Sequence, residues 1–208
     1  PEEIEKNIVT LKNLQTRQEE NPQTANRRRR RGACRRVRRD ADGLFRGPAM
    51  KIEIDIARQL LSLTDKGKPV RQYSISTSKH GAGEQNGSLC TPRGRHIVRA
   101  KIGAGRPLGS VFARRRPTGE IWTPELHAAH PGRDWMLTRI LWLSGCELGK
   151  NRLGDVDTMR RYIYIHGAPD TAQMGTPGSI GCVRMRNADI VELFDLVPPY
   201  TPVEINEG

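Results

Sequence analysis

Met50, Ile52, Ile54 and Ile56 alternate with Lys51, Glu53 and Asp55. A period of two over seven residues is the signature of an extended strand with one face buried and one wet. The pattern recurs along the chain. Leu60 to Thr64 reads as a second strand, followed by the turn Asp65-Lys66-Gly67-Lys68. Val70 to Thr77 supplies a third, with Tyr73, Ile75 and Thr77 on one face, and His96 to Ile102 a fourth. Between them, Lys79 to Gly94 is rich in glycine and poor in apolar residues, a long loop that ends in Thr91-Pro92-Arg93-Gly94. Strands joined by short turns, with few helical periods, favour an all-β sandwich or barrel over a βαβ array.

Residues 103–160 carry weaker signals. Gly119 to Thr123 is compatible with a strand. Trp135 to Leu143 is an apolar run whose length and β-branched content predict a buried strand; Arg139 and Trp142 differ in parity, so at most one faces a core. Gly145 to Asp157 reads as loop. A helix is predicted after Asn187, with that residue as N-cap and Asp189 in the first turn. Ile190, Phe194 and Val197 share its face, Pro198 and Pro199 stop it, and Thr201 to Ile205 returns as a final strand.

The formal charge of +12 suggests nucleic acid until it is mapped along the chain. Residues 1–26 hold 3 basic and 5 acidic side chains, and residues 27–48 hold 10 arginines against Asp40 and Asp42. The remaining 160 residues hold 22 basic and 16 acidic side chains, only a moderate positive field. Two regions follow: a basic, disordered extension over 1–48 and a domain over 49–208, with Met50 as an alternative start. Within the extension, Ile4, Ile8, Leu11 and Leu14 fit a short amphipathic helix, and the arginine run repels itself. Binding to nucleic acid or an anionic surface, a solvated tail, and an artefact upstream of a start at Met50 are the three readings of that run.

No run of about eighteen apolar residues is present, which argues against a membrane-spanning helix. No apolar h-region marks a signal peptide. Cys34, Cys90, Cys146 and Cys182 form no CxxC pair; Cys90 with Cys146 is the bridge an oxidising compartment would allow. His127-Ala-Ala-His130 is too loose for zinc, so no metal is expected.

The chemistry gathers in Arg160 to Met185. Alternation from Arg161 to His166 puts Tyr162, Tyr164 and His166 on one face and Ile163 and Ile165 on the other, towards the core. Gly167 lets the chain turn there. Fifteen residues beyond it, Gly178-Ser179-Ile180-Gly181-Cys182 carries a thiol just after glycines. A histidine and a cysteine so placed suit nucleophilic catalysis on an acyl group, with amides near Cys182 as an oxyanion hole. Arg184 could act electrostatically on the imidazole region or bind a carboxylate bidentately.

His166-Gly167 followed by Ser179-Ile180-Gly181-Cys182-Val183-Arg184-Met185 resembles the H-G…[ST]-H-G-C-x-R pattern of the L,D-transpeptidase (YkuD) catalytic domain. Ile54-Asp55-Ile56 with Arg58-Gln59-Leu60, the Thr-Pro-x-Gly turn at 91–94 and Val-Glu-Ile at 203–205 extend the resemblance across the domain. It implies an L,D-transpeptidase-like β-sandwich with one short C-terminal helix near the active-site loop. It implies that Cys182 attacks the carbonyl preceding the terminal D-alanine of a peptidoglycan stem tetrapeptide, releasing D-alanine and leaving a thioester for an acceptor amine. His166 would be the general base, oriented by the Gly167 carbonyl, with Gly181 and Cys182 amides as the oxyanion hole. Arg184, Ser179 and Tyr164 would be the substrate contacts. Carbapenems are expected as covalent inhibitors, no cofactor or nucleic acid is required, and the periplasm or cell envelope is the expected location. The family usually has histidine where this chain has Ile180.

Overall fold

The computed structural model describes residues 50–208, together with a two-residue antiparallel pairing of β1 (Arg38–Arg39) and β2 (Phe45–Arg46). The amphipathic helix read over residues 1–20 lies outside the described residues; of the extension read as disordered over 1–48, only the paired Arg38–Arg39 and Phe45–Arg46 are described, and those four residues are extended strand.

The alternating runs become β3 (Met50–Asp55), β4 (Leu60–Asp65), β5 (Lys68–Ser74) and β6 (Gly94–Ile102). β4 and β5 turn through Lys66 and Gly67, both at positive φ, the geometry a two-residue hairpin needs to match strand twist. Further along come β7 (Ser110–Ala113), β8 (Arg116–Ile121), β9 (Met136–Gly145), β10 (Tyr164–Gly167), β11 (Val183–Met185) and β12 (Pro202–Asn206). Hydrogen bonding orders them β11-β10-β9-β6-β12-β3-β4-β5, with β7 paired to β8 and to the start of β9. β10–β11 and β12–β3 are parallel pairs. The two ends of this path meet, because Ser76 just beyond β5 exchanges main-chain hydrogen bonds of 2.9 Å with Arg184 of β11. The sheet therefore wraps around its core.

That core is built from the inward positions of each strand: Ile52 and Ile54, Leu61 and Leu63, Leu141 and Leu143, Ile163 and Ile165, Val183 and Met185, Val203 and Ile205. Helix α2 (Asn187–Leu196) adds Ile190, Leu193 and Phe194 to it, as the 3.6-residue pattern requires. The fold is thus mainly β with one principal helix. A shorter helix, α1 (Pro124–Ala129), was not legible in the sequence; Thr123 caps it by accepting from the Leu126 N–H, with Pro124 in the first turn. No helix among the described residues is long and apolar enough to cross a membrane.

Two sequence expectations need correcting. Arg186, not Asn187, is the N-cap of α2, and its side chain makes no capping bond. Asn187 is buried in the first turn, where its Oδ1 accepts from Thr138 Oγ1 (2.6 Å) and its Nδ2 donates to the Ala168 carbonyl (3.0 Å). A buried amide with partners on two neighbouring elements is fixed more firmly than a surface cap. Nor do Cys90 and Cys146 bridge, since Cys90 is a free thiol. Arg139 and Trp142 do lie on opposite faces of β9. Arg139 lies over Phe194 on the α2 side while Trp142 is half-buried on the other face, so both faces of this strand are covered.

His96 on β6 is buried, with Nδ1 on the Gly94 carbonyl at 2.8 Å and Nε2 on Thr158 Oγ1 at 3.1 Å. Burial pushes its pKa down to about 4, against an ordinary 6.5. The unfolded chain then binds the proton that the folded one refuses, so stability is full above pH 6.5 and lost as pH falls towards 4. The expected loss from this residue is about 3 kcal/mol. Urea denaturation at pH 7 and at pH 4 should show a steeper acid loss for the native protein than for His96→Gln; equal slopes would refute it.

Candidate active site

Parallel pairing of β10 with β11 sets Ile165 beside Val183 and His166 beside Arg184. Ile163, Ile165, Val183 and Met185 all enter the main core. By strand alternation Tyr164, His166, Cys182 and Arg184 share the opposite face. The thiol at the entry to β11 takes the Tyr164 main-chain N–H (3.4 Å) and lies 3.5 Å from the Tyr162 carbonyl. Burial pushes its pKa up to about 12; the Tyr164 N–H, Arg184 and Arg161 pull the other way, and Asp134 adds to the rise. Cys182 is therefore a protonated thiol at neutral pH, and it needs a base.

His166 has the character of one. Its Nδ1 lies 2.9 Å from the Gly167 carbonyl. A carbonyl only accepts, so Nδ1 carries the proton and Nε2 holds the lone pair. Burial lowers the pKa of the ring, with Asp134 and the Gly167 bond opposing and Arg184 assisting, which keeps the imidazole neutral at pH 7. The bond to Gly167 depends on a kink in the sheet. Thr138 at φ 67° bulges β9, and the register opposite it slips between His166 and Gly167. Thr138 Oγ1 is held by the Gly109 N–H (3.0 Å) and Asn187.

The other expected residues are less free than their sequence suggested. Ser179 is buried, donates to the Cys182 carbonyl and accepts the Gly181 N–H at 3.2 Å. It braces the loop rather than facing a substrate, because its hydroxyl is engaged on both sides. The same bond corrects the oxyanion assignment: the Gly181 N–H is committed to Ser179, leaving the Cys182 N–H as the donor to be tested. Tyr164 is buried and its hydroxyl accepts from Arg115 Nη1 at 3.0 Å, so its contribution to the thiol comes from the main chain. Arg184 pairs with Asp134 (2.8 Å) and donates to the Gly178 carbonyl (3.0 Å), which leaves it beside the imidazole rather than open to a carboxylate. Ile180 faces solvent, 45% exposed.

Several residues of the site escaped sequence reasoning. Thr91 Oγ1 donates to the Gly181 carbonyl (3.1 Å) and accepts the Ser78 N–H (3.0 Å), tying the Thr-Pro-x-Gly turn to the cysteine loop. Arg161 stitches the loop before that turn, donating to the carbonyls of Gly83, Glu84 and Cys90. Asp134 reaches Arg184 from the segment after α1. The turn was visible as a motif; Asp134 and Arg161 carried no local signal, because their partners are about 50 and 70–80 positions away. His127 sits away from this constellation, between the rings of Trp122 and Trp135.

The model of the L,D-transpeptidase catalytic domain, YkuD, matches residues 49–205. A 47-residue stretch is 43% identical to YkuD of Bacillus subtilis (strain 168), a protein named for the same activity, and covers 23% of this chain and 29% of that protein. Among solved structures, an L,D-transpeptidase from Mycobacterium smegmatis aligns at 18% identity with a TM-score of 0.45, over 77% of this chain and 59% of its own. L,D-transpeptidase 3 from Mycobacterium tuberculosis, in complex with a faropenem-derived adduct, aligns at 16% identity with a TM-score of 0.49, over 77% and 61%. The chain spans less than two thirds of each of these relatives.

Proposed function

From the premise that this chain belongs to the L,D-transpeptidase (YkuD) catalytic domain family, we propose that it transfers acyl groups between peptidoglycan stem peptides through a thioester on Cys182. The observation that supports this reading is the pairing of β10, which carries His166, with β11, at whose entry the Cys182 thiol meets the Tyr164 main chain. His166 Nε2 takes the thiol proton as Sγ attacks the carbonyl before the terminal D-alanine. The oxyanion forms near the Cys182 N–H. On collapse the C–N bond breaks, the departing amine takes the proton from His166, and D-alanine leaves. An acceptor amine then opens the thioester; water in its place gives an L,D-carboxypeptidase, and a protein lysine gives anchoring of a lipoprotein. The polymer lies in the cell envelope, where the enzyme would work.

A second reading, a peptidoglycan-binding module with weakened catalysis, draws on Ile180 in the position of the family histidine and on the raised thiol pKa. One experiment separates the two. Intact-protein mass spectrometry after incubation with a carbapenem should show a covalent adduct that is absent in Cys182→Ala, and D-alanine should be released from a stem tetrapeptide. An unmodified protein with no D-alanine release would leave only the binding module.

A further inference from the structure

Against Tyr164, whose main-chain N–H meets the thiol, stands an arginine that the proposed chemistry does not use. The β7–β8 hairpin turns on Arg114 and Arg115, at φ 48° and 69°, a conformation that usually falls to glycine or asparagine. Such strain persists only where the surroundings hold it. Here they do. The Arg115 guanidinium lies 4.4 Å from the Trp142 ring centre and 4.9 Å from that of Tyr162, and donates to Tyr164 Oη at 3.0 Å. Tyr162 is itself at φ 58°, and its ring is exposed at the edge of the shelf.

Arg71, Arg93, Arg133 and Arg184 each pair with a carboxylate. Arg115 meets none among the described residues. Stacking fixes the plane of a guanidinium and leaves its edge donors aimed outward, a fork that matches a carboxylate. The shelf adjoins the nucleophile: Cys182 and Trp142 pack against the same cluster of Phe112, Ile140 and Tyr164. The Cys182 Sγ also contacts the main chain of Tyr162 and Tyr164.

We propose that Arg115 is a specificity-determining residue, whose guanidinium, stacked on Trp142 and Tyr162, binds a carboxylate of the donor peptide as the scissile carbonyl reaches Cys182. The inference rests on the acyl-transfer reading and names the charge that the donor must carry. Where the residue giving the acyl group is a diamino dicarboxylic acid, two carboxylates flank the scissile bond, one on that residue's side chain and one at the terminus of the leaving D-alanine.

The test is binding, so that it does not depend on turnover. Calorimetry would compare the full chain carrying Cys182→Ala with Cys182→Ala/Arg115→Gln, using the tetrapeptide as free acid and with either carboxylate converted to a primary amide. Amidating the engaged carboxylate should weaken binding to Cys182→Ala by roughly 10- to 100-fold. It should barely change binding once Arg115 is glutamine, and Arg115→Lys should recover part of the preference. Which amide carries the loss identifies the carboxylate. Equal weakening of all three peptides by Arg115→Gln would make Arg115 a prop for the shelf and overturn the proposal, as would no preference for the acid, or no binding. D-alanine release by the native protein is scored separately. Acid-selective binding without release would leave Arg115 standing and sink the transpeptidase reading.

Discussion

His166→Gln is expected to slow acylation of Cys182 by about a thousandfold at pH 7. With the thiol pKa pushed up to about 12 by burial, the thiolate is scarce at that pH, so the proton must be removed as the bond forms. Glutamine can still donate to the Gly167 carbonyl, which separates loss of the base from loss of the fold. The native pH profile carries the same information. Burial lowers the imidazole pKa from its ordinary 6.5, so the base form persists through that value and acylation should fall only at more acid pH. Time-resolved mass spectrometry of adduct formation reads both. His127→Ala, whose ring lies between Trp122 and Trp135, should acylate at the native rate. Matching rates for His166→Gln and the native protein would remove His166 from the mechanism.

Gly167→Ala should cost about 3 kcal/mol of stability and abolish acylation with it. A methyl group built there would lie 2.5 Å from Asn187 Oδ1, 2.7 Å from the Leu137 carbonyl and 3.2 Å from Ile190 Cγ2. None of these is the loose end of a flexible chain. Asn187 is held by Thr138 and Ala168, Leu137 is main chain in β9, and Ile190 is in the core. Relief requires moving the bulge that also sets the Gly167 carbonyl under the imidazole. Gly132→Ala is the control, since nothing lies within 4 Å of the added carbon, and it should stay within about 0.5 kcal/mol. Urea denaturation checks both variants; a native-like midpoint for Gly167→Ala would contradict the packing argument.

Much of the frame was legible because the strands are amphipathic on their own account. Met50–Ile56 and Val70–Thr77 announce their buried faces with no knowledge of their partners. β9 was legible as a strand but not as a bent one: Thr138 adopts φ 67° because of hydrogen bonds from Gly109 and to Asn187, which are remote in sequence. Helix α1 was hidden because its six residues give less than two turns of periodicity, and none of them is buried. At the site, the thiol and imidazole carried a sequence signature, whereas their surroundings did not. Ser179 and Tyr164 looked like substrate contacts because they flank the motif. Folding turns their polar atoms onto the loop and onto Arg115.

Since β10 and β11 are neighbours in one ladder, the place of His166 relative to the entry of β11 is set by the sheet, and the loop that carries Cys182 is braced onto that entry by Ser179 and Thr91. The β7–β8 hairpin lies outside that frame, so its residues can vary without moving the β10–β11 pairing. Such a site separates the choice of partner from the capacity to react. A substitution at the exposed position 180 would then change what meets the loop without disturbing the strand pairing beneath it.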